Sequence, residues 1–339
     1  MWLIHTTALR LQFFPSSDGQ KCGILSHTWG EDEFTFQAMK ALSECSLPTG
    51  RGWAKIVATC EKARSHFGLD WVWADTCRID KTSSAELTEA INSMFSWYRG
   101  AAVCLLFLED FSGAEGPNSS PPEPDKFRQR LGQCRWFTRG WTLQELIAPA
   151  DVVFYNADWD SLGTKMELIN HLSAITGINQ SVLHDIEALH FLPVCKKMAW
   201  AASRQTTRIE DLAYCLLGIF DISMPMLYGE GDKAFIRLQE EIARSTNDLT
   251  LFAWTQEAED GAETIRPRGI FATSPAEFRH CNTIRAPEIA FEKNVEFSMT
   301  NQGLRIHKNL RRRSAPSMSG STPTNWFTPR SPGNQAYAK

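Results

Sequence analysis

Along the first 155 residues, short continuous apolar runs take turns with apolar positions at helical spacing. Residues 22 to 26 (CGILS) are an apolar run ending in the polar turn HTWGEDE, the pattern of a buried strand that opens into a loop. A helical stretch follows over about 34 to 42. From 53 to 67, Ile56, Cys60, Ala63 and Phe67 keep helical intervals while Lys55, Glu61, Lys62 and Arg64 occupy other faces. The segment WVWAD (71 to 75) predicts a second strand. Ser83-Ser84-Ala85-Glu86 is a capping-box pattern, and Leu87, Ile91, Met94, Phe95 and Tyr98 behind it mark an amphipathic helix. AVCLLFL (102 to 108) predicts a third buried strand, and AEGPNSSPPEPDK is too rich in proline and serine to be other than a loop. A short helix over 140 to 147 leads past Pro149 into a fourth strand, DVVFY. Strand, helices, strand, helix, strand is the order of a parallel sheet covered on both faces.

Beyond Trp159 the spacing is mostly helical: 164 to 176, 194 to 203, 209 to 219, and 232 to 244 with Phe235, Leu238 and Ile242 on one face. The expectation is a helical elaboration packed on the sheet. Residues 250 to 310 mix short apolar stretches with turns, and the tail from about 311 has the composition of a disordered end.

At 339 residues, with 43% hydrophobic and 22% charged positions, the chain can bury a sizeable core without staples. A formal net charge of -4 gives no electrostatic case for nucleic acid or an anionic membrane. The nine cysteines are odd in number and form no CxxC pair, which suits buried thiols in a reducing compartment. The N-terminus lacks a basic region and a small-residue cleavage site, and no run approaches 18 apolar residues, so a cytoplasmic protein without a membrane span is expected.

Open α/β sheets bind ligands outside the carboxyl ends of their strands. Two predicted strands have polar exits there: Ser26-His27-Thr28-Trp29 and Asp75-Thr76-Cys77. Geometry favours a shared site, with turn capping by Ser26 and Asp75 and packing of Trp29 as the plainer alternative. A Ser26-His27 dyad is excluded, because neighbours on a strand point to opposite faces. A zinc site is not expected, since His27, Cys77, Cys134, His184, His190 and Cys195 show no paired ligand spacing. YGEGDKAF lacks P-loop spacing and reads as a turn starting a helix. In RGWTLQEL, Trp141 and Glu145 are four apart and share a helical face, while Leu143, Leu146 and Ile147 can face the sheet. The plainer alternative for Glu145 is a surface carboxylate paired with Arg139 or Arg99.

Five segments, ILSHTWG, WADTCRIDK, SSAELTEAINSMFSWYR, WFTRGWTLQELIAP and MPMLYGEGDKAFIRLQEEI, closely resemble the heterokaryon-incompatibility (HET) domain proteins of filamentous fungi, over residues 1 to 285 and in the family's order. Ala74 and Arg78 depart from the WVDTCCIDK form common among relatives. The resemblance implies a HET domain over 1 to 160 (core about 22 to 150), a helical extension with short strands over 161 to 285, and a poorly defined region over 286 to 339. It also implies a role in programmed cell death after fusion of genetically unlike cells. HET domains look like distant relatives of TIR domains, so the implied fold is a TIR-like, flavodoxin-like parallel sheet flanked by helices with a mostly helical C-terminal elaboration.

Carried over from TIR-type NAD hydrolases, the Trp-x-x-x-Glu of Trp141 to Glu145 makes Glu145 the catalytic candidate. Ser26, His27, Trp29, Asp75 and Trp141 are then the substrate-binding candidates. NAD would be a substrate, and no cofactor or metal is expected. Nicotinamide on ribose carries positive charge and leaves neutral, so one carboxylate could suffice without a general acid. The alternative reading is a non-enzymatic module that self-associates and recruits an unknown incompatibility partner. A homo-oligomer is expected under either.

Overall fold

The computed structural model describes residues 1–15, 19–42, 48–77, 83–113, 124–256, 269–284, 296–300, 303–307 and 337–338. Arg78, most of the proline-rich loop and residues 311 to 336 of the tail lie outside them.

The sheet is built from β1 (Trp2–His5), β2 (Leu11–Phe13), β3 (Gly23–His27), β4 (Trp71–Trp73), β5 (Val103–Phe107), β6 (Val152–Tyr155) and β7 (Ser161–Thr164), in the order β2-β1-β4-β3-β5-β6-β7. The pairs β3/β4, β3/β5 and β5/β6 are parallel. β1, β2 and β7 join antiparallel at the two edges. Numbered by their own sequence, the parallel strands run 2-1-3-4, the start of the flavodoxin-like order. The strand reversal therefore falls between β3 and β5. Every residue of these two strands is buried, as their unbroken apolar runs require.

The first fifteen residues, read from the sequence only as a short apolar stretch, form the β1–β2 hairpin on the β4 edge. Trp2 packs edge-on to Phe13 and Phe36, an aromatic lock that no local period announces. β7 is the other unforeseen strand. Its pattern SLGT is too short to stand out, and its pairing with β6 places it.

Helices α1 (Phe36–Lys40) and α2 (Arg51–Phe67) cover one face. Trp53, Ile56, Cys60 and Ala63 of α2 bury against Leu25, Val103 and Leu105. Gly68 ends α2 in a left-handed conformation at φ 63°. Gly52 is required by close approach, since a Cβ there would sit 2.2 Å from the Asp32 carbonyl oxygen. Helix α3 (Ser84–Gly100), capped by the Ser83 hydroxyl on the Glu86 amide, covers the other face with α4 (Pro124–Gln133) and α5 (Thr142–Ile147).

The helical elaboration consists of α6 (Ile169–Thr176), α7 (Gln180–His184), α8 (Val194–Ala199), α9 (Asp211–Tyr214), α10 (Leu217–Phe220) and α11 (Lys233–Ser245). It shares one continuous core with α3, α5 and that side of the sheet, from Leu3 to Cys281. Phe235, Leu238 and Ile242 face that core together. A separate three-stranded antiparallel sheet joins β8 (Glu296–Thr300), β9 (Gly303–His307) and β10 (Tyr337–Ala338). Among the described residues, no helix is long and apolar enough to cross a membrane.

Candidate functional site

Strand alternation at the end of β3 divides its two polar residues between the faces of the sheet. Ser26, in step with Ile24, points toward α3 and α5; His27, in step with Leu25, points toward α2. Two polar clusters result, one on each side of a single strand end.

The first is centred on Glu145. All six residues of α5 are buried, with Leu143, Leu146 and Ile147 packed into the core and Glu145 only 5% exposed. The Trp136 indole N–H donates to Ser26 Oγ at 2.8 Å, and the Ser26 hydroxyl donates to Glu145 Oε2 at 2.5 Å. Because an indole can only donate, Ser26 Oγ accepts from Trp136 and its own proton is left for Glu145. The Tyr98 hydroxyl, which donates to the Leu25 carbonyl at 3.1 Å, also reaches the Glu145 carboxyl. Burial first, and the Asp75 charge second, push the Glu145 carboxyl up to about 8, against the opposing pull of Ser26, Tyr98 and Arg204.

The cation in this cluster comes from the helical elaboration. Arg204 donates from Nη1 to the Arg139 carbonyl at 2.7 Å and to Thr142 Oγ1 at 2.9 Å, and from Nε to the Trp200 carbonyl. It is 6% exposed. It thereby fixes the first turn of the helix that carries Glu145. Arg99 and Arg139, the arginines weighed as surface partners, instead contact Glu187 and Thr207. Trp141, half-buried at the start of α5, reaches Asp211 of α9. The two ends of the Trp-x-x-x-Glu segment thus engage different neighbours.

The second cluster lies on the α2 face. His27 is 6% exposed, with Nε2 3.6 Å from Glu33 Oε2 and Nδ1 3.9 Å from Asp75 Oδ1. Lys55 Nζ pairs with Glu33 Oε1 at 2.6 Å, and the Gly30 amide donates to the same oxygen at 2.8 Å. Burial alone would raise the Glu33 carboxyl, but His27, Lys55 and Gly30 outweigh it and bring it down to about 2. Trp29 is 42% exposed; its indole donates to Asp75 Oδ2 at 2.7 Å, and its carbonyl accepts from Arg135 at 2.9 Å. Asp75 connects the clusters, since it faces His27 and its charge also acts on Glu145.

Over this second cluster an open cleft of about 1090 Å³ lies at the carboxyl ends of β3, β5 and β6, walled by the first turns of α2. That is where a doubly wound sheet places its ligands. Thr28 and Arg135 line it, the chain neighbours of His27 and Trp136; Glu145 does not. No group of three or more His, Cys, Asp or Glu among the described residues could hold a metal ion.

Sequence reasoning brought forward Ser26, His27, Trp29, Asp75 and Glu145, and the fold gathers these five around one strand end. Trp136, Tyr98, Arg204, Glu33 and Lys55 were missed. Trp136 and Tyr98 sat at apolar positions of segments already singled out, while Arg204 and the Glu33–Lys55 pair had no spacing to signal them.

A family profile described as heterokaryon incompatibility protein (HET) matches residues 23–121. A second, a domain of unknown function (DUF8212), matches residues 233–307. Vegetative incompatibility protein HET-E-1 of Podospora anserina is 41% identical over 240 residues, which is 69% of this chain and 17% of that protein. The chain thus spans about a sixth of the length of this curated relative. No solved structure matches. The HET profile begins at the first residue of β3 and contains Ser26, His27, Trp29, Asp75 and Tyr98, and the identity to HET-E-1 extends over most of the chain. The chain belongs to the heterokaryon incompatibility (HET) domain proteins.

Proposed function

We propose that this chain is an effector of a heterokaryon (vegetative) incompatibility response that ends in cell death, and that it acts in the cytoplasm by hydrolysing NAD with Glu145 as the catalytic carboxylate. The observation that carries the catalytic part is a desolvated carboxyl with a pKa near 8, held by the Ser26 hydroxyl beside the strand ends. Strongly shifted carboxyls concentrate at functional sites. The name of HET-E-1 supports the incompatibility role.

In the reaction, water replaces nicotinamide at the ribose carbon, giving ADP-ribose, nicotinamide and a proton. The leaving ring departs neutral, so the demand on the protein is to stabilise an oxocarbenium-like transition state. An ionised Glu145 meets that demand. Its high pKa keeps it largely protonated at neutral pH, and a cationic nicotinamide riboside beside it would favour the ionised form. Ser26 would hold the carboxylate, and Asp75, His27 and Trp29 would orient the dinucleotide. Trp141, engaged with Asp211, would act from the rear of the helix.

One observation favours a second reading. Glu145 is 5% exposed and does not line the cleft, as expected of a polar pin in a non-enzymatic module that self-associates and signals through a partner. Glu145→Gln separates the two, because glutamine can still accept from Ser26. If the enzymatic reading holds, the folded variant releases no nicotinamide from NAD and loses cell killing. Killing by Glu145→Gln at the wild-type level would establish the second reading.

A further inference from the structure

Trp159 combines two features that seldom meet: it is a bulky residue in a left-handed conformation, φ 62°, and its ring walls the large cleft. Glycine or asparagine would adopt that backbone with less strain. The conformation is imposed by its loop. Buried Asn156 accepts from the Asp158 and Asp160 amides at 3.0 and 2.8 Å through Oδ1, and donates to the Gly113 carbonyl at 3.2 Å. The Trp159 amide closes the turn on the Asn156 carbonyl at 3.0 Å. The indole is thereby laid on Phe107, centroids 4.6 Å apart and planes 17° apart, at the end of β5 next to the strand reversal.

The lining charge selects what such a platform can take. Five carboxylates face three cations around the cleft. Asp32 is occupied by the Arg51 amide, Glu33 by Lys55, and Asp110 by the Arg135 amide. Exposed Glu31 and Glu109 remain as acceptors on the lining. This surplus disfavours a polyphosphate and favours a ring and sugar hydroxyls that donate hydrogen bonds.

The geometry points to a nucleoside-binding site in this cleft, in which the Trp159–Phe107 pair stacks a planar heteroaromatic ring and Glu109 accepts from the ligand's donors or faces a cationic ring. The site lies on the opposite face of β3 from Glu145 and does not rest on NAD hydrolysis. A planar ring gains stacking on the indole, and a positively charged one gains a cation–π attraction as well.

The test is calorimetric titration of the full chain carrying Glu145→Gln, so that no turnover confounds binding. The probes are adenosine, nicotinamide riboside and ATP. One or both nucleosides should bind, ATP at least about tenfold more weakly. Trp159→Gly, which relieves the backbone strain, should weaken nucleoside binding by roughly tenfold or more, and Trp159→Phe by clearly less. Tighter binding of nicotinamide riboside than adenosine would mark the site as selecting a cationic ring, and the reverse order a neutral one. If Trp159→Gly does not fold, exposed Glu109→Gln decides, with an expected loss of roughly threefold or more. No binding of either nucleoside at millimolar concentration would overturn the assignment. So would equal or tighter binding of ATP, or wild-type affinity in Trp159→Gly or, where that does not fold, in Glu109→Gln.

Discussion

Two carboxyls on opposite sides of one strand end have opposite fates. Glu145, carried on α5, has the hydroxyls of Ser26 and Tyr98 as partners and Arg204 as the cation of its cluster, and burial drives it to about 8. Glu33 sits against α2 with Lys55 at 2.6 Å, and it falls to about 2. Both are largely withdrawn from water. What differs is depth and partners: Glu145 is the more deeply buried and has the Asp75 charge nearby, whereas at Glu33 the His27 imidazole first, then Lys55 and the Gly30 amide, together outweigh desolvation. Ser26 and His27, adjacent in the chain, assign each cluster to its face by alternation alone.

The largest effect on this contrast is expected from Arg204→Ala. It removes the buried cation acting on Glu145 and leaves the Arg139 carbonyl without its guanidinium donor, so the chain should lose about 3 kcal/mol or more in urea unfolding. Unchanged stability would mean that the elaboration does not support α5. Ser26→Ala comes next. It strands the Trp136 indole N–H and a Glu145 oxygen, and about 1–3 kcal/mol should be lost by the same measurement.

The pH dependence reads the contrast directly. For Glu145 the folded pKa lies above the unfolded value of 4.5, so the folded state holds more protons. Stability should fall as pH rises from 4.5 to about 8, by at most about 1.4 kcal/mol per pH unit. For Glu33 the folded pKa lies below 4.5, so its contribution is present above that pH and is lost as pH falls toward 2. Unfolding free energies across pH should show both limbs. Glu145→Gln should flatten only the neutral one, and a limb that survives would reassign the titration. The smallest effect is expected from Lys55→Met, about 1–2 kcal/mol at pH 7 with a shallower acid limb.

Much of the fold was legible because its strands and helices state their surroundings locally. β3 and β5 are continuous apolar runs because both their faces are covered, and α2 and α3 bury one regular stripe each. The β1–β2 hairpin and β7 were not legible, since these are short, partly buried edge strands placed by their antiparallel partners rather than by a pattern of their own. Likewise Glu145 was visible as a residue but not as a buried one. Its six-residue helix has no exposed face, and periodicity offers no measure of depth.

The sequence by itself determined the parallel α/β core, the family segments and the polar strand exits at Ser26 and Asp75, because these depend on residue order and short-range periodicity. Only the tertiary structure decided which exits meet. It set Glu145 beneath Ser26 on one face and the cleft with Trp159 on the other, and it drew Arg204 from the elaboration under α5. These are contacts across 52 to 119 residues, set by how the chain crosses between faces of the sheet, which no local pattern encodes.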